Sequence, residues 1–308
     1  MPPGSRTFAV VNQKGGVGKT TTAVNLAASF AASERPTLLV DLDPQANATS
    51  ACGHSGAIPQ IYDALSGNCV MKDAVLQAEL PCLHLVPSGR SLYGAEIELV
   101  TAPRREHRVS QLLDDLREAY ELVVIDCPPS LGLLTLNALA AADSVVIPMQ
   151  CEYYALEGLA GLLETVEAVR QSLNAGLGLE GILLTMADLR SNLARQVAAE
   201  VRSHFGDQVF ETVIPRNVRL SEAPSHGKPA LLYDAHSRGA VSYLALADEI
   251  LCRFERHDPP LTPPSLGGSD APRPPDSAAT PSASPDSAAE SAATPIARPS
   301  GEQEGDDT

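Results

Sequence analysis

The chain has 308 residues, enough to bury a substantial core, and a formal net charge of −16 at pH 7. This acidic balance excludes attraction to nucleic acid through overall charge, so any such contact requires a local basic patch. The absence of a signal peptide, of C-x-x-C pairs and of an apolar run of about 18 residues predicts a cytoplasmic protein without membrane attachment.

The composition changes near residue 257. Residues 258–308 are rich in proline, serine and alanine and hold nine acids and two arginines, a net charge of −7. Because such a segment has almost no large apolar side chains to bury, it predicts a disordered acidic tail. Residues 1–257, with a net charge of about −9, are predicted to form one main domain.

The domain begins with a predicted strand over 7–11, a glycine-rich loop and a helix over 20–32. Stretches compatible with helices, such as 156–172, separate most of the later strand candidates. Those candidates are 37–41, 83–87, 121–126, 144–148, 181–185 and 212–215. The alternation predicts an α/β fold with a doubly wound, mostly parallel sheet.

The loop between the first strand and the first helix has the spacing of a phosphate-binding P-loop. Its residues are Lys14, Gly15, Gly16, Val17, Gly18, Lys19 and Thr20. Backbone N–H groups and the helix dipole can hold phosphate oxygens here. Lys19 is predicted to neutralise the β- and γ-phosphates of ATP, Thr20 to bind Mg²⁺ through its hydroxyl, and Thr21 to contact the α-phosphate.

Acidic side chains follow two predicted buried strands, at the sheet edge where ligands bind. Asp126 ends the run Leu-Val-Val-Ile-Asp and is predicted to be the Walker B ligand of Mg²⁺. Asp41 and Asp43 follow the earlier strand, and Asp41, which lies nearer the strand, is the candidate for a structural role. The lone Cys127 is interpreted as inert packing.

Lys14, the extra lysine at the start of the loop, resembles the second lysine of the deviant Walker A family. That family includes ParA/Soj, MinD and the nitrogenase iron protein. Residues 181–190 (GILLTMADLR) and 214–229 (IPRNVRLSEAPSHGKP) closely resemble the chromosomal ParA/Soj branch. The resemblance covers about residues 7 to 254 and leaves the tail unaccounted for.

This resemblance implies roles for several residues. Lys14 would reach the nucleotide of a second subunit across a dimer interface. Asp43 would orient the attacking water and contact the magnesium shell. Pro215 and Asn217 would contact the adenine. Arg190 and Arg219 match positions that bind DNA nonspecifically in the Soj branch.

The activity implied is slow ATP hydrolysis that switches a homodimer between states. The ATP-bound dimer would bind double-stranded DNA on the nucleoid, and a ParB/Spo0J-type partner would stimulate hydrolysis. A two-fold dimer would double the basic face expected around Arg190 and Arg219. Further cations of that region are Arg195, Arg202, Arg216, Lys228 and Arg238.

Alternatives stay open at this stage. Only six residues precede the first strand, too few for an operator-binding helix-turn-helix, and the cluster cysteines of nitrogenase iron protein are not reproduced. An ATP-dependent synthase of the cobyrinate or dethiobiotin type shares the P-loop, and a MinD-like membrane ATPase is a second alternative. The cargo, whether chromosome, plasmid or protein cluster, is not indicated.

Overall fold

The computed structural model describes residues 5–152, 155–188, 190–255 and 260–263. Each of the seven predicted strands is present, together with one two-residue strand that the sequence did not predict. The strands are β1 (Arg6–Val10), β2 (Thr37–Asp41), β3 (Leu76–Gln77), β4 (Leu83–Val86), β5 (Leu122–Asp126), β6 (Ser144–Gln150), β7 (Gly178–Ala187) and β8 (Val209–Pro215).

The strands form one sheet in the order β3-β4-β2-β5-β1-β6-β7-β8. All neighbours are parallel except β3 and β4, so the predicted mostly parallel α/β architecture is confirmed. The helices are α1 (Lys19–Ala32), α2 (Asn47–Ala51), α3 (Ile61–Leu65), α4 (Leu92–Glu98), α5 (Arg108–Asp114), α6 (Leu133–Ala141), α7 (Ala155–Ser172), α8 (Asn192–Phe205), α9 (Val218–Glu222), α10 (Ala230–Tyr233) and α11 (Arg238–Glu255).

Helices cover both faces of the sheet, which explains why its strands are continuous apolar runs. Successive side chains of β1 point to opposite faces: Phe8 and Val10 join a core with α1 and α11, whereas Ala9 joins a core with α6, α7 and α8. The result is a three-layer arrangement with every strand residue of β1, β2 and β5 buried.

The winding direction reverses around β1. The chain passes from β1 through α1 to β2 on one side, and from β5 through α6 to β6 on the other. In open α/β sheets such a reversal leaves a crevice at the carboxyl ends of the strands. The glycine-rich loop after β1 and the acids ending β2 and β5 lie at this edge.

The described part of the chain extends past residue 257. Leu261 forms an antiparallel bridge with Leu179 of β7 through N···O distances of 2.7 and 2.9 Å, and Gln208 donates to the Thr262 carbonyl at 2.9 Å. The rest of the predicted tail lies outside the described residues, so the boundary at 257 stays a prediction. Within the described helices, none is both long and apolar enough to cross a bilayer.

Candidate functional site

The phosphate loop is an open turn that leads into α1. Gly16 and Gly18 have φ angles of 75° and 90°, conformations that favour glycine. A Cβ added to Gly15 would meet nothing within 4 Å, so the loop leaves open space beside its backbone. Lys19 turns back over the loop and donates from Nζ to the Lys14 carbonyl at 3.1 Å.

Lys19 is a buried cation surrounded by acids. Lys19 is only 7% exposed. Burial lowers the pKa of its ammonium group, whereas the charges of Asp126 and Asp43 raise it. Among the described residues, its ammonium group donates one hydrogen bond, to the Lys14 carbonyl. Because an ammonium has three N–H donors, further donors remain available to a ligand. Lys19 is therefore placed to neutralise an anion held by the loop.

Asp126 at the end of β5 is fully buried, and neither of its carboxylate oxygens has a hydrogen-bond partner in the described part of the chain. Burial raises its pKa well above the ordinary value, the neighbouring Asp41 raises it further, and the nearby Thr20 hydroxyl and Lys19 oppose the shift. Buried carboxylates are normally satisfied. A hydrated divalent cation between Asp126 and Thr20 would satisfy this one, so the residues fit the predicted Mg²⁺ site.

Asp41 and Asp43 have different surroundings. Asp41 accepts from the Thr49 hydroxyl at 2.7 Å and from the backbone N–H groups of Thr49 and Asp43 at 2.8 and 3.1 Å. Burial raises its pKa to about 6. These bonds tie β2 to α2, which is a structural role. Asp43 is 5% exposed and accepts from the Gln45 N–H at 2.9 Å. It also borders a cavity beside the glycine-rich loop, which we call the phosphate cavity.

Two adjoining cavities lie at this edge of the sheet. The phosphate cavity has a volume of about 320 Å³ and is bordered by the loop glycines, Lys19, Asp43 and Pro129. A second cavity of about 580 Å³ is bordered by Pro215 and Asn217. The cavities share Gly18, Thr21 and Met186. One polar and one more apolar compartment side by side suit the phosphates and the base of a nucleotide.

Comparison with known proteins shows which family this chain is similar to. Residues 5–179 match a family model described as an AAA domain. The chromosome partitioning protein ParA of Myxococcus xanthus is 55% identical over 84% of this chain and 90% of its own length. The sporulation initiation inhibitor protein Soj of Bacillus subtilis is 55% identical over 79% and 97%.

The chain belongs to the ParA/Soj family.

A solved structure outside the partitioning proteins is also similar. Cobyrinic acid a,c-diamide synthase from Mycobacterium smegmatis, with bound ADP and magnesium, shares 35% identity and a TM-score of 0.73. The match covers 84% of this chain and 98% of that one. The same fold therefore occurs in a protein named as a synthase, while the ParA and Soj relatives have higher identity to this chain.

Lys14, predicted from the resemblance to act across a dimer interface, is not among the residues that border the phosphate cavity. Its side chain is 50% exposed and forms an ion pair with Glu152, whose side chain is 53% exposed. The Lys14 backbone N–H donates to Asn12 Oδ1 at 2.9 Å. The side chain is thus at the surface beside the loop, and an exposed pair of this kind holds it only weakly.

Asn217 both caps a helix and borders a cavity. Its Oδ1 accepts from the Arg219 N–H at 2.8 Å and caps α9. The residue also borders the larger cavity, and its side-chain Nδ2 is not used by the cap. Pro215 ends β8 and borders the same cavity, and the adenine contacts of both residues stay a prediction.

Supporting residues around the loop were not identified from the sequence. The Thr185 hydroxyl lies 2.8 Å from the Val17 carbonyl, and Gln150 Nε2 donates to the Gly16 carbonyl at 3.0 Å. Met186, with φ of 49°, adopts a left-handed conformation unusual for methionine and borders both cavities. Thr185 and Met186 stand inside the quoted stretch 181–190, but only the fold reveals their contacts.

The arginines predicted to bind DNA, Arg190 and Arg219, border neither of these two cavities. Ala187 pairs with Pro215 at the ends of β7 and β8, so the segments carrying Arg190 and Arg219 follow adjacent strands. Arg190 is 92% exposed in its side chain and Arg219 is 46% exposed. His226, which precedes Lys228 by two positions, stacks on Tyr233 with 4.8 Å between ring centroids.

Proposed function

We propose that this chain is an ATP hydrolase whose nucleotide state switches dimerisation and nonspecific DNA binding in chromosome or plasmid partitioning. The observation that carries the proposal is the unpartnered Asp126 carboxylate beside the Lys19 loop, in a chain 55% identical to ParA and Soj proteins. ATP and Mg²⁺ are the ligands, and a ParB-type protein stimulates a slow reaction. The working location is the cytoplasmic nucleoid.

The site residues divide the work of phosphoryl transfer. Lys19 and the loop N–H groups hold the β- and γ-phosphates, and Thr21 contacts the α-phosphate. Thr20 and Asp126 hold magnesium, which when bound supplies charge neutralisation at the phosphates. Asp43, at the border of the phosphate cavity, orients the water that attacks the γ-phosphate. Pro215 and Asn217 hold the base in the larger cavity.

Dimerisation links this chemistry to DNA. Lys14 is half-exposed beside the loop, where it can leave Glu152 and reach the nucleotide of a second subunit. A two-fold dimer duplicates Arg190 and Arg219, which doubles the number of phosphate contacts available to DNA. The acidic domain alone has too little attraction to DNA, so binding depends on the ATP-bound dimer.

The likeness to cobyrinic acid a,c-diamide synthase supports a second candidate, an ATP-dependent synthase. Its 35% identity is lower than the 55% shared with partitioning proteins, which this chain matches over 90% or more of their length. A synthase also binds an organic substrate beside the nucleotide. ATP turnover that depends on DNA and not on such a substrate separates the two functions.

The test of the switch is a salt-dependent titration of double-stranded DNA with ATP, ADP or no nucleotide, alongside sedimentation of the same samples. The wild type should bind DNA only with ATP, and the affinity should fall steeply with salt and vary little with base sequence. Lys19→Ala, which loses the charge facing the phosphates, should neither bind nucleotide nor respond to it.

A second variant tests the binding surface. Arg190→Glu with Arg219→Glu should abolish DNA binding while ATP binding and dimerisation stay at wild-type levels. Unchanged DNA affinity in a dimeric double variant would place the surface elsewhere. A wild type without ATP-dependent DNA affinity would overturn the partitioning function itself.

A further inference from the structure

The cations of the proposed DNA-binding surface are held by acids of the same chain. Arg190 forms a two-pronged pair with Asp188: Nε lies 2.8 Å from Oδ1 and Nη2 lies 3.0 Å from Oδ2. Both groups are exposed, with 92% of the Arg190 side chain accessible. The guanidinium edge that faces Asp188 is the edge that could grip a phosphate in the same two-pronged way.

Arg219 is held from two directions. Its Nη1 lies 2.8 Å from Glu222 Oε2, its Nε lies 3.3 Å from Asp234 Oδ2, and its guanidinium carbon is 6.0 Å from the centre of the Tyr233 ring. The Tyr233 hydroxyl lies 3.2 Å from Glu222 Oε2, which fixes that carboxylate beside the arginine. Both carboxylates therefore occupy donors that a DNA phosphate would need.

The pairing extends beyond these two arginines. Lys228 Nζ lies 2.9 Å from Oε1 of Glu79, a residue distant in sequence. The Arg190 hydrogen bond lowers the pKa of Asp188, and the more distant Arg216 lowers it too, so this carboxylate also offsets a second cation. The negative charges of these acids reduce the positive potential of the surface where the proposed function needs it.

We propose that Asp188, with Glu222 and Asp234, acts as a built-in competitor of DNA phosphate, so that these carboxylates limit the DNA affinity of the dimer. The inference rests on the proposed DNA-binding function. Each arginine exchanges its intramolecular carboxylate for a phosphate on binding, and the exchange weakens binding without removing it. Because each dimer then binds DNA weakly, it can dissociate from DNA while its surface keeps the arginines.

The size of the effect follows from what exposed ion pairs contribute. One such pair changes an equilibrium constant by a factor of about 1.5 to 5, and the two-fold dimer contains each pair twice. Removing one competitor should therefore tighten DNA binding by about 2-fold to 25-fold. In the wild type each phosphate contact of the arginine replaces an ion pair, whereas in the variant it replaces none, so the slope of log affinity against log salt should steepen by at most about 1.8 for the two copies.

The experiment compares Asp188→Asn, and separately Glu222→Gln with Asp234→Asn, against the wild type. The amides keep the size and an acceptor oxygen but lose the charge. Glu200→Gln on α8 is the matched control, because Glu200 forms no ion pair with any described residue. Each protein is titrated with duplex DNA at several salt concentrations with slowly hydrolysed ATP, and sedimentation verifies the dimer.

Tighter binding and a steeper salt slope in the Asp188→Asn dimer, with Glu200→Gln close to the wild type, would support the inference. Equal tightening in Glu200→Gln would show a general charge effect and overturn it. Unchanged or weaker binding in Asp188→Asn would also overturn it, since the carboxylate would then orient the arginine for DNA. No DNA binding by any of these proteins would overturn the proposed function as well, which distinguishes the two failures.

Discussion

Single residues at the crevice differ in function because their surroundings differ. Asp41 and Asp43 are two positions apart, yet Asp41 accepts three hydrogen bonds from the protein and Asp43 borders the phosphate cavity. The first carboxylate is committed to folding and the second is available to a ligand. The sequence alone could favour Asp43 only by its distance from the strand end.

Asp43→Ala should keep nucleotide affinity within a few-fold of the wild type while ATP turnover falls about 100-fold or more. The change removes the group proposed to position water and leaves Lys19 and the loop in place. Fluorescent-nucleotide titration and phosphate release measure the two effects. Asp43→Asn, which still accepts from the Gln45 N–H, controls for loss of loop structure; wild-type turnover in either variant would contradict the assignment.

Lys14→Gln should bind ATP with nearly wild-type affinity and fail to form the ATP dimer. The side chain is half-exposed and its pair with Glu152 is at the surface, so the monomer should lose little stability. Sedimentation with slowly hydrolysed ATP checks this. Glu152→Gln, which frees Lys14 from its partner, is the matched control and should dimerise at least as well; normal dimerisation of Lys14→Gln would limit Lys14 to a local role.

At the scale of elements, strands were predictable where both faces are buried. The runs in β2 and β5 are continuous and apolar until their terminal acids, so their limits were predicted to within one residue. β3 is only two residues long, too short to carry a periodic signal. β7 begins three residues before the predicted start at Gly181, because a glutamate interrupts its apolar pattern.

That glutamate is tolerated inside the sheet because of contacts between distant segments. Glu180 is 2% exposed, and its Oε2 accepts from Arg6 Nη2 and from the Ser144 hydroxyl, each at 2.8 Å. Arg6 lies on β1 and Ser144 on β6, so three strands meet at one carboxylate. Nothing local in the sequence around Glu180 indicates these partners.

Arg6→Met should destabilise the fold by about 3 kcal/mol at neutral pH, because it leaves a buried carboxylate without its main cation. Burial already raises the pKa of Glu180, and Arg6 opposes that rise, so the variant raises the pKa further. A carboxyl with a raised folded-state pKa costs stability as pH rises above its unfolded value. The deficit should therefore shrink as the pH falls toward 4.5 and grow toward 7.

Urea unfolding of Arg6→Met at several pH values measures this deficit. The double variant Arg6→Met with Glu180→Leu is the matched control and should recover much of the lost stability with little pH dependence. A deficit of Arg6→Met that is independent of pH would show that packing of Arg6 on Phe8, with 5.6 Å from the guanidinium carbon to the ring centre, accounts for the loss.

At the scale of the whole molecule, the phosphate loop was predictable and its supports were not. Seven consecutive residues define the loop by spacing, whereas Thr185 and Gln150 contact it across 168 and 134 positions of sequence. Likewise the position of Arg190 was inferred from a family pattern, but its pair with Asp188 required the fold. Local spacing predicts ligand-binding loops, and only topology determines what braces them.

Two truncations test where the folded part of the molecule ends. A chain ending at residue 263 should keep the wild-type melting temperature and ATP turnover. A chain ending at residue 257 also loses the Leu179–Leu261 bridge, so its melting temperature should fall by about 2 to 6 °C with turnover intact. A large loss of turnover in the shorter chain would show that the catalytic domain extends beyond 257.

The tether between Thr185 and the phosphate loop affects how such a chain can diverge. Residues 185–190 contain both the hydroxyl that contacts Val17 and the arginine proposed to bind DNA. An insertion or deletion within these six positions would displace one of them relative to the other, whereas exposed connections elsewhere can change length freely. The length of this segment should therefore be fixed in any variant that keeps both the loop contact and the arginine.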